Sequence, residues 1–168
     1  MGLFRTGLDA QAKAELRTLF GGRVRPLASA RSAQGAVVGL TDQLVYRTAD
    51  GWVQLSWHEI ERGGWDRNTQ HLSWVGIDGS AAELELVNPG RLPQLFKERV
   101  NASVVYTKSM PLAGVGSAVI SARRDLAHPD APLVWRASPG DSTEVEQVAA
   151  DPSVANELAR LRAEYDQR

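Results

Sequence analysis

From Val37 to Asn88 the chain runs VVGLTDQLVYRTADGWVQLSWHEIERGGWDRNTQHLSWVGIDGSAAELELVN, short apolar stretches broken by turn-forming residues about every ten positions. That rhythm is too short for helices and suits antiparallel strands. It predicts strands near 24–32, 35–41, 43–49, 52–57, 60–67, 71–77 and 82–87. Ser32 to Gly35, Thr41-Asp42, Asp50-Gly51, Arg67 to Thr69 and Asp78-Gly79 supply the reversals, and His58-Glu59 marks a corner. Within 52–57, Val53, Leu55 and Trp57 share one side, and in 82–87 Leu84 and Leu86 alternate with Glu83 and Glu85. One face is therefore buried and the other wet, the habit of antiparallel sheets. An open sheet of so many strands exposes two edges, so the expected architecture is a closed barrel or an orthogonal sandwich.

Helical spacing appears on either side of this unit. Leu8 to Phe20 predicts a short helix capped by Asp9 and stopped by Gly21-Gly22, with Ala12, Leu16, Leu19 and Phe20 on a narrow face against the barrel's edge. Leu92, Leu95, Phe96, Val100 and Val104 repeat at helical spacing after Pro93, which predicts one amphipathic helix over 91–106 lying on an open end of the barrel. Beyond it, 112–124 and 132–137 read as a further hairpin, followed by a linker, SPGDST. Asp151-Pro152 opens a last helix whose stripe, Val154, Leu158, Leu161 and Tyr165, is too thin to stand alone and is expected to dock on the 115–137 hairpin. The fold class is thus β-rich α+β, divided as an N-terminal helix (1–22), a barrel with its helix (23–107), a hairpin extension (108–138) and a linker with the C-terminal helix (139–168).

Composition narrows the chemistry. With 168 residues the chain is long enough for a core without covalent staples. It has no cysteine, so thiolate chemistry, disulfides and cysteine-bound metals are excluded. Lys and Arg total 19 against 20 Asp and Glu, and neither half carries the basic excess of a nucleic-acid binder. No stretch approaches the ~20 apolar residues of a membrane span, and the N-terminus lacks the apolar run of a secretory leader. The expected compartment is the cytoplasm, with attachment at the inner membrane face as the variant. Gly2 with Thr6 matches a short myristoylation pattern, an accidental match on this reading.

Catalytic patterns are sparse. His58 and Glu59 are neighbours in an extended corner and point apart, His71 and His128 are isolated, and no zinc spacing occurs. Gly63-Gly64 lies within a strand and marks a bulge or a crowded bend rather than a phosphate loop, and Gly114 to Gly116 lacks the strand–helix context of a nucleotide site. The chain is therefore expected to be non-enzymatic, with neither cofactor nor metal. Tryptophans are the informative residues: core filling is the plainer reading for each, above all for Trp57 and Trp74, and Trp52 and Trp65 have as their alternative a rim able to receive an apolar partner. Arg23, Arg25 and Arg31 form the candidate anion-binding rim, with a solvated strand face as the plainer alternative.

The segments VVGLTDQLVYR, WVQLSWHEIERGGWD and LELVNPGRLPQLFKERVNASVV, spread over Arg23 to Trp135, resemble an uncharacterised actinobacterial family of pleckstrin-homology-like (PH-like) proteins. The resemblance rests on the Thr41-Asp42 turn before an apolar strand, the Trp57 to Ile60 corner and the Glu98 to Ser103 helix end. It implies a PH-like seven-stranded barrel closed by the helix after the last strand, and no particular activity. Lipid-binding members carry a basic cluster near the first hairpin, where this chain has only the three arginines. Two functions from different classes are expected to compete. The first is an interaction module for a protein partner, a monomer in preference to a dimer. The second is a barrel mouth holding an anionic ligand or lipid headgroup through Arg23, Arg25 and Arg31.

Overall fold

The computed structural model describes residues 8–168, so the Gly2–Thr6 pattern lies outside the described residues. The chain divides into two compact units, one up to Ala102 and one from Ser103 to Arg168.

The first unit begins with α1 (Ala10–Phe20), whose N-terminus is capped by Asp9 Oδ1 accepting from the Ala12 amide at 2.7 Å. Seven strands follow: β1 (Ala28–Ser32), β2 (Gly35–Gly39), β3 (Gln43–Thr48), β4 (Gly51–Ser56), β5 (Ile60–Asp66), β6 (His71–Gly76) and β7 (Ala81–Glu85). They pair antiparallel in the orders β1-β2-β3-β4 and β5-β6-β7. Among the described residues a single bridge, Arg31 to Val87, joins β1 to the residues after β7, with both amide–carbonyl bonds made (3.3 and 2.7 Å). No strand links β4 to β5 among the described residues. The expected continuous closed barrel is thus corrected to two sheets joined at one side. The turn from Trp57 to Glu59 separates β4 from β5, because the chain bends there as a tight helical turn and Glu59 bonds back to the Ser56 amide (3.0 Å). β1 is also shorter than expected. Pro26 has no amide to donate, and only Leu27, bonding Gly39 (2.9 Å), extends the pairing.

α2 (Leu92–Ser103) buries Leu92, Leu95, Phe96 and Val100, the predicted stripe. Two glycines let it approach both sheets. A Cβ on Gly39 of β2 would lie 2.5 Å from Leu95 Cδ2, and one on Gly63 of β5 would lie 2.7 Å from the Phe96 ring and from the Ser73 carbonyl. An aromatic chain crosses the same space: Tyr46 to Trp74 (centroids 5.4 Å, near-perpendicular), Trp74 to Phe96 (6.2 Å) and Phe96 to Trp57 (5.9 Å, edge-on). Trp57 is fully buried and donates its indole N–H to the Leu40 carbonyl at 2.9 Å. Trp57 and Trp74 are core residues, as expected.

α1 lies on a face rather than at a barrel edge. Leu16 packs with Val38, Leu40 and Val45, and Phe20, Val24 and Trp52 surround them. Val38 pairs with Val45, one register step from the inward pair Val37 and Tyr46, so this is the outer face of the four-stranded sheet.

In the second unit the helix expected to reach Tyr106 ends at Ser103, and β8 (Val104–Pro111) begins at once. Val104, Val105 and Tyr106 are β-branched and aromatic, and pairing with β9 (Ser117–Arg123) outweighs one more helical turn. β10 (Val134–Pro139) completes the order β10-β9-β8. The stretch expected to be one strand from 112 is instead a turn over 112–116 followed by β9, and a short helix, α3 (Val145–Ala150), lies where a linker was expected to continue. α4 (Pro152–Asp166) docks within the chain. Leu161 joins Ile120, Ala122 and Trp135, with Leu158 and Tyr165 beside them, while Val154 packs with Leu112, Ala118 and Val148. Asp151 ties the helix start to the β8–β9 turn, accepting from the Ser153 hydroxyl (2.6 Å) and amide (2.9 Å) and from the Ala113 amide (2.7 Å).

Two outcomes follow. Gly63→Ala crowds both a ring and a backbone carbonyl, and is expected to lower unfolding stability by about 1–3 kcal/mol. Gly64→Ala enters open space and should stay within about 0.5 kcal/mol of the parent, with urea midpoints as the comparison. The second concerns acid. Glu157 accepts from Arg160 (2.8 and 2.9 Å) and Lys108 (2.8 Å), and these bonds pull its pKa down to about 2. A carboxyl with a depressed folded pKa stabilises the fold above its unfolded value, and that contribution is lost as pH falls towards about 2. Glu157→Gln should therefore flatten the acid limb of the stability curve below pH ~4.5, read by circular dichroism at stepped pH.

Candidate functional site

Two concave surfaces are formed by described residues of the first unit. One is a cleft of about 370 Å³ between α1 and the segment leading into β1. Leu16 and Val24 line its apolar part, with Leu8, Pro26 and Leu27 beside them, and Lys13, Arg17 and Arg23 supply its charge. No acidic residue lines it among the described residues. The side chains of Lys13, Arg17 and Arg23 have no ion-pair or hydrogen-bond partner among the described residues.

The helix sorts its charges by spacing. Lys13 and Arg17, four apart, share one flank, and Gln11 and Glu15, also four apart, share the other, with Ala12 and Leu16 buried between them. On the acidic flank Glu15 is fully engaged. Gln11 donates to it (3.0 Å), Trp52 Nε1 donates to it (2.8 Å) and Arg47 lies 3.9 Å away. These contacts, the Gln11 bond first, hold its carboxyl below the usual range.

The other surface is an open trough of about 610 Å³ over β5-β6-β7. Arg62 and Glu83 stand at its sides, and Gly64 and Ser73 are among the small residues of its floor. Gly64 pairs with Ser73, and Ser73 with Glu83, so the three form one row on the face opposite buried Leu72 and Trp74. β5 is an edge strand with a bulge at its start, between Ile60 and Arg62.

The five expected binding residues do not form one site. Arg23 lines the cleft, whereas Arg25 and Arg31 are exposed outside its lining. Arg25, expected on the first strand, precedes β1 as Arg23 does, and Arg31 uses its backbone to pair with Val87. Trp52 is half-buried in the α1 contact and lies 5.8 Å beneath the Arg47 guanidinium. Trp65 pairs with Leu72 and shares its inward face, half-buried. Lys13 and Arg17 were the residues missed. Their four-residue spacing on a predicted helix, away from Glu15, is the signal that finds them.

The histidines are dispersed. His58 sits in the turn after β4 and is half-buried. His71 Nδ1 lies 2.8 Å from the Thr69 carbonyl. His128 lies 2.9 Å from Asp125 Oδ2, but its side chain is 75% exposed on a loop outside both concave surfaces. No group of three or more possible metal ligands occurs among the described residues, and no helix among them is long and apolar enough to cross a membrane.

Leu16 carries the cleft's inner wall and is 1% exposed. Leu16→Ala is expected to cost about 2–5 kcal/mol and to release α1. Amide exchange over residues 12–20 should then accelerate well before that of β2 and β3, as followed by exchange mass spectrometry. Comparison with protein-family models, curated proteins and solved structures yields no significant match.

Proposed function

We propose that the first unit is a PH-like, non-enzymatic interaction module that takes an extended segment of a protein partner along the free edge of β5. The edge itself carries the reading: among the described residues β5 pairs with β6 alone, and its Gly63-Gly64 step is exposed beside the open trough. Backbone amides and carbonyls on such an edge pair readily with another chain, and glycine brings no side chain to obstruct it. Arg62 and Glu83 on either side of the trough offer opposite charges to the partner's alternate side chains. The PH-like reading draws support from strand order. Four strands, then three, meet at one side through Arg31 and Val87, and a single helix after the last strand covers the space between them.

The bulge and the charges of Arg62 and Asp66 limit indiscriminate pairing along the same edge. Selectivity then comes from side chains reaching the trough, and affinity from main-chain bonds.

Peptides selected from a random library against the full chain test this. Binders should shift the amide resonances of Arg62 to Asp66 more than those of β2 or β9. Gly64→Lys, whose side chain enters open space, should weaken them at least about tenfold with an unchanged melting temperature. Binders that leave the β5 amides unmoved, or that tolerate Gly64→Lys, would remove the reading.

A further inference from the structure

The cleft between α1 and the approach to β1 is separate from the β5 edge and does not depend on the peptide reading. We infer that it is a binding site for a phosphate monoester bearing an apolar group. Three features converge there: a concave volume of about 370 Å³, three cations and an apolar wall. Pockets for small ligands start near this size, about 300 Å³, and combine an apolar lining with a few placed polar groups.

The cations are Lys13 and Arg17 from α1 and Arg23 from the following segment. Like charges brought together without a counter-charge repel each other, and they gain most from a ligand that neutralises them jointly. Of the two acidic groups at α1, Glu15 is committed to Gln11 and Trp52 on the opposite flank, and Asp9 at the N-cap accepts from the Ala12 amide. The chain's formal net charge is −1, so the positive patch is a local arrangement and not a consequence of overall composition. A phosphate monoester carries roughly −1.5 to −2 charges and three acceptor oxygens at neutral pH. That matches three donors better than a carboxylate does, and the two guanidiniums suit its planar O–P–O edges.

The apolar half of the ligand is argued separately. Leu27 is 46% exposed at the mouth, and Leu16 and Val24 continue the apolar surface inward. An alkyl or aryl group of a few carbons would cover that strip, at about 0.8 kcal/mol for each methylene buried. A free soluble phosphate ester and the headgroup region of an anionic lipid share this chemistry. The two sources differ in whether the tail must leave a bilayer.

The test uses the full chain and hexyl phosphate as probe, with inorganic phosphate and hexanol as the two half-ligands. Hexyl phosphate is expected to shift the amides of residues 13–29 and to bind at least about tenfold more tightly than either half. Its affinity should fall with added salt. The double variant Arg17→Gln with Arg23→Gln changes two exposed side chains, and should weaken it by about tenfold with an unchanged melting temperature. In a second arm, vesicles of phosphatidylcholine with and without phosphatidic acid are sedimented with the protein. Retention on the phosphatidic acid vesicles that the variant loses assigns the lipid source. Hexyl phosphate binding without vesicle retention assigns a free ester. Failure of hexyl phosphate to bind, hexanol binding equally well, or binding indifferent to the double variant would overturn the inference. None of these outcomes bears on the β5 amides, so the peptide reading stands or falls independently.

Discussion

The first unit depends on how closely α2 can approach two sheets at once. Gly39 and Gly63 sit where a methyl group would strike Leu95 or Phe96, so the helix meets backbone instead of side chain. That close approach brings Phe96 within ring contact of both Trp57 and Trp74, and Trp74 in turn meets Tyr46 from the other sheet. Each large buried side chain contributes a few kcal/mol by leaving water, and the edge-on geometry adds specificity of orientation. Among the described residues, lateral pairing of the sheets is confined to one bridge, Arg31 with Val87. Helix and aromatic packing therefore take over the task that continuous hydrogen bonding performs in a closed barrel.

Both candidate surfaces are by-products of that economy of pairing. Because no strand joins β4 to β5 among the described residues, β5 stands at the edge of its sheet, beside the trough. Because the outer face of the four-stranded sheet needs cover, α1 lies across it, and its buried seam of Ala12 and Leu16 divides the helix into an acidic and a basic flank. Glu15 anchors one flank to Trp52, and the other is left with Lys13 and Arg17 facing Arg23 across a cleft. The charge separation is local and strong although the chain as a whole is near neutral.

The second unit solves a smaller problem by different means. Its three strands bury one face under α4, where Tyr106, Trp135 and Tyr165 meet within 5.2–5.8 Å of one another. The helix start is fixed by Asp151, which bonds its own first turn and the β8–β9 turn together. A fifteen-residue helix is marginal in isolation. Here it is held by an aromatic contact near its end and a carboxylate at its start.

Local chemistry in the sequence determined the elements. Alternation and turn residues placed all seven strands of the first unit within a few residues, Asp9 and Gly21 bounded α1, and the spacing Leu92, Leu95, Phe96, Val100 marked the buried side of α2. Trp57 and Trp74 were legible as core, since a strand's inward positions are set by its own period. Val104 to Tyr106 was misread because a residue at helical spacing can equally begin a strand, and only the partner β9 decides between them. The sites were less legible still. Arg23, Arg25 and Arg31 are close in sequence, yet Pro26 and the pairing at Val87 send them to different places, and Lys13 and Arg17 take the places expected of Arg25 and Arg31. Whether seven strands close into a barrel depends on edges far apart in the chain. No local period records such contacts, so tertiary structure alone decided it.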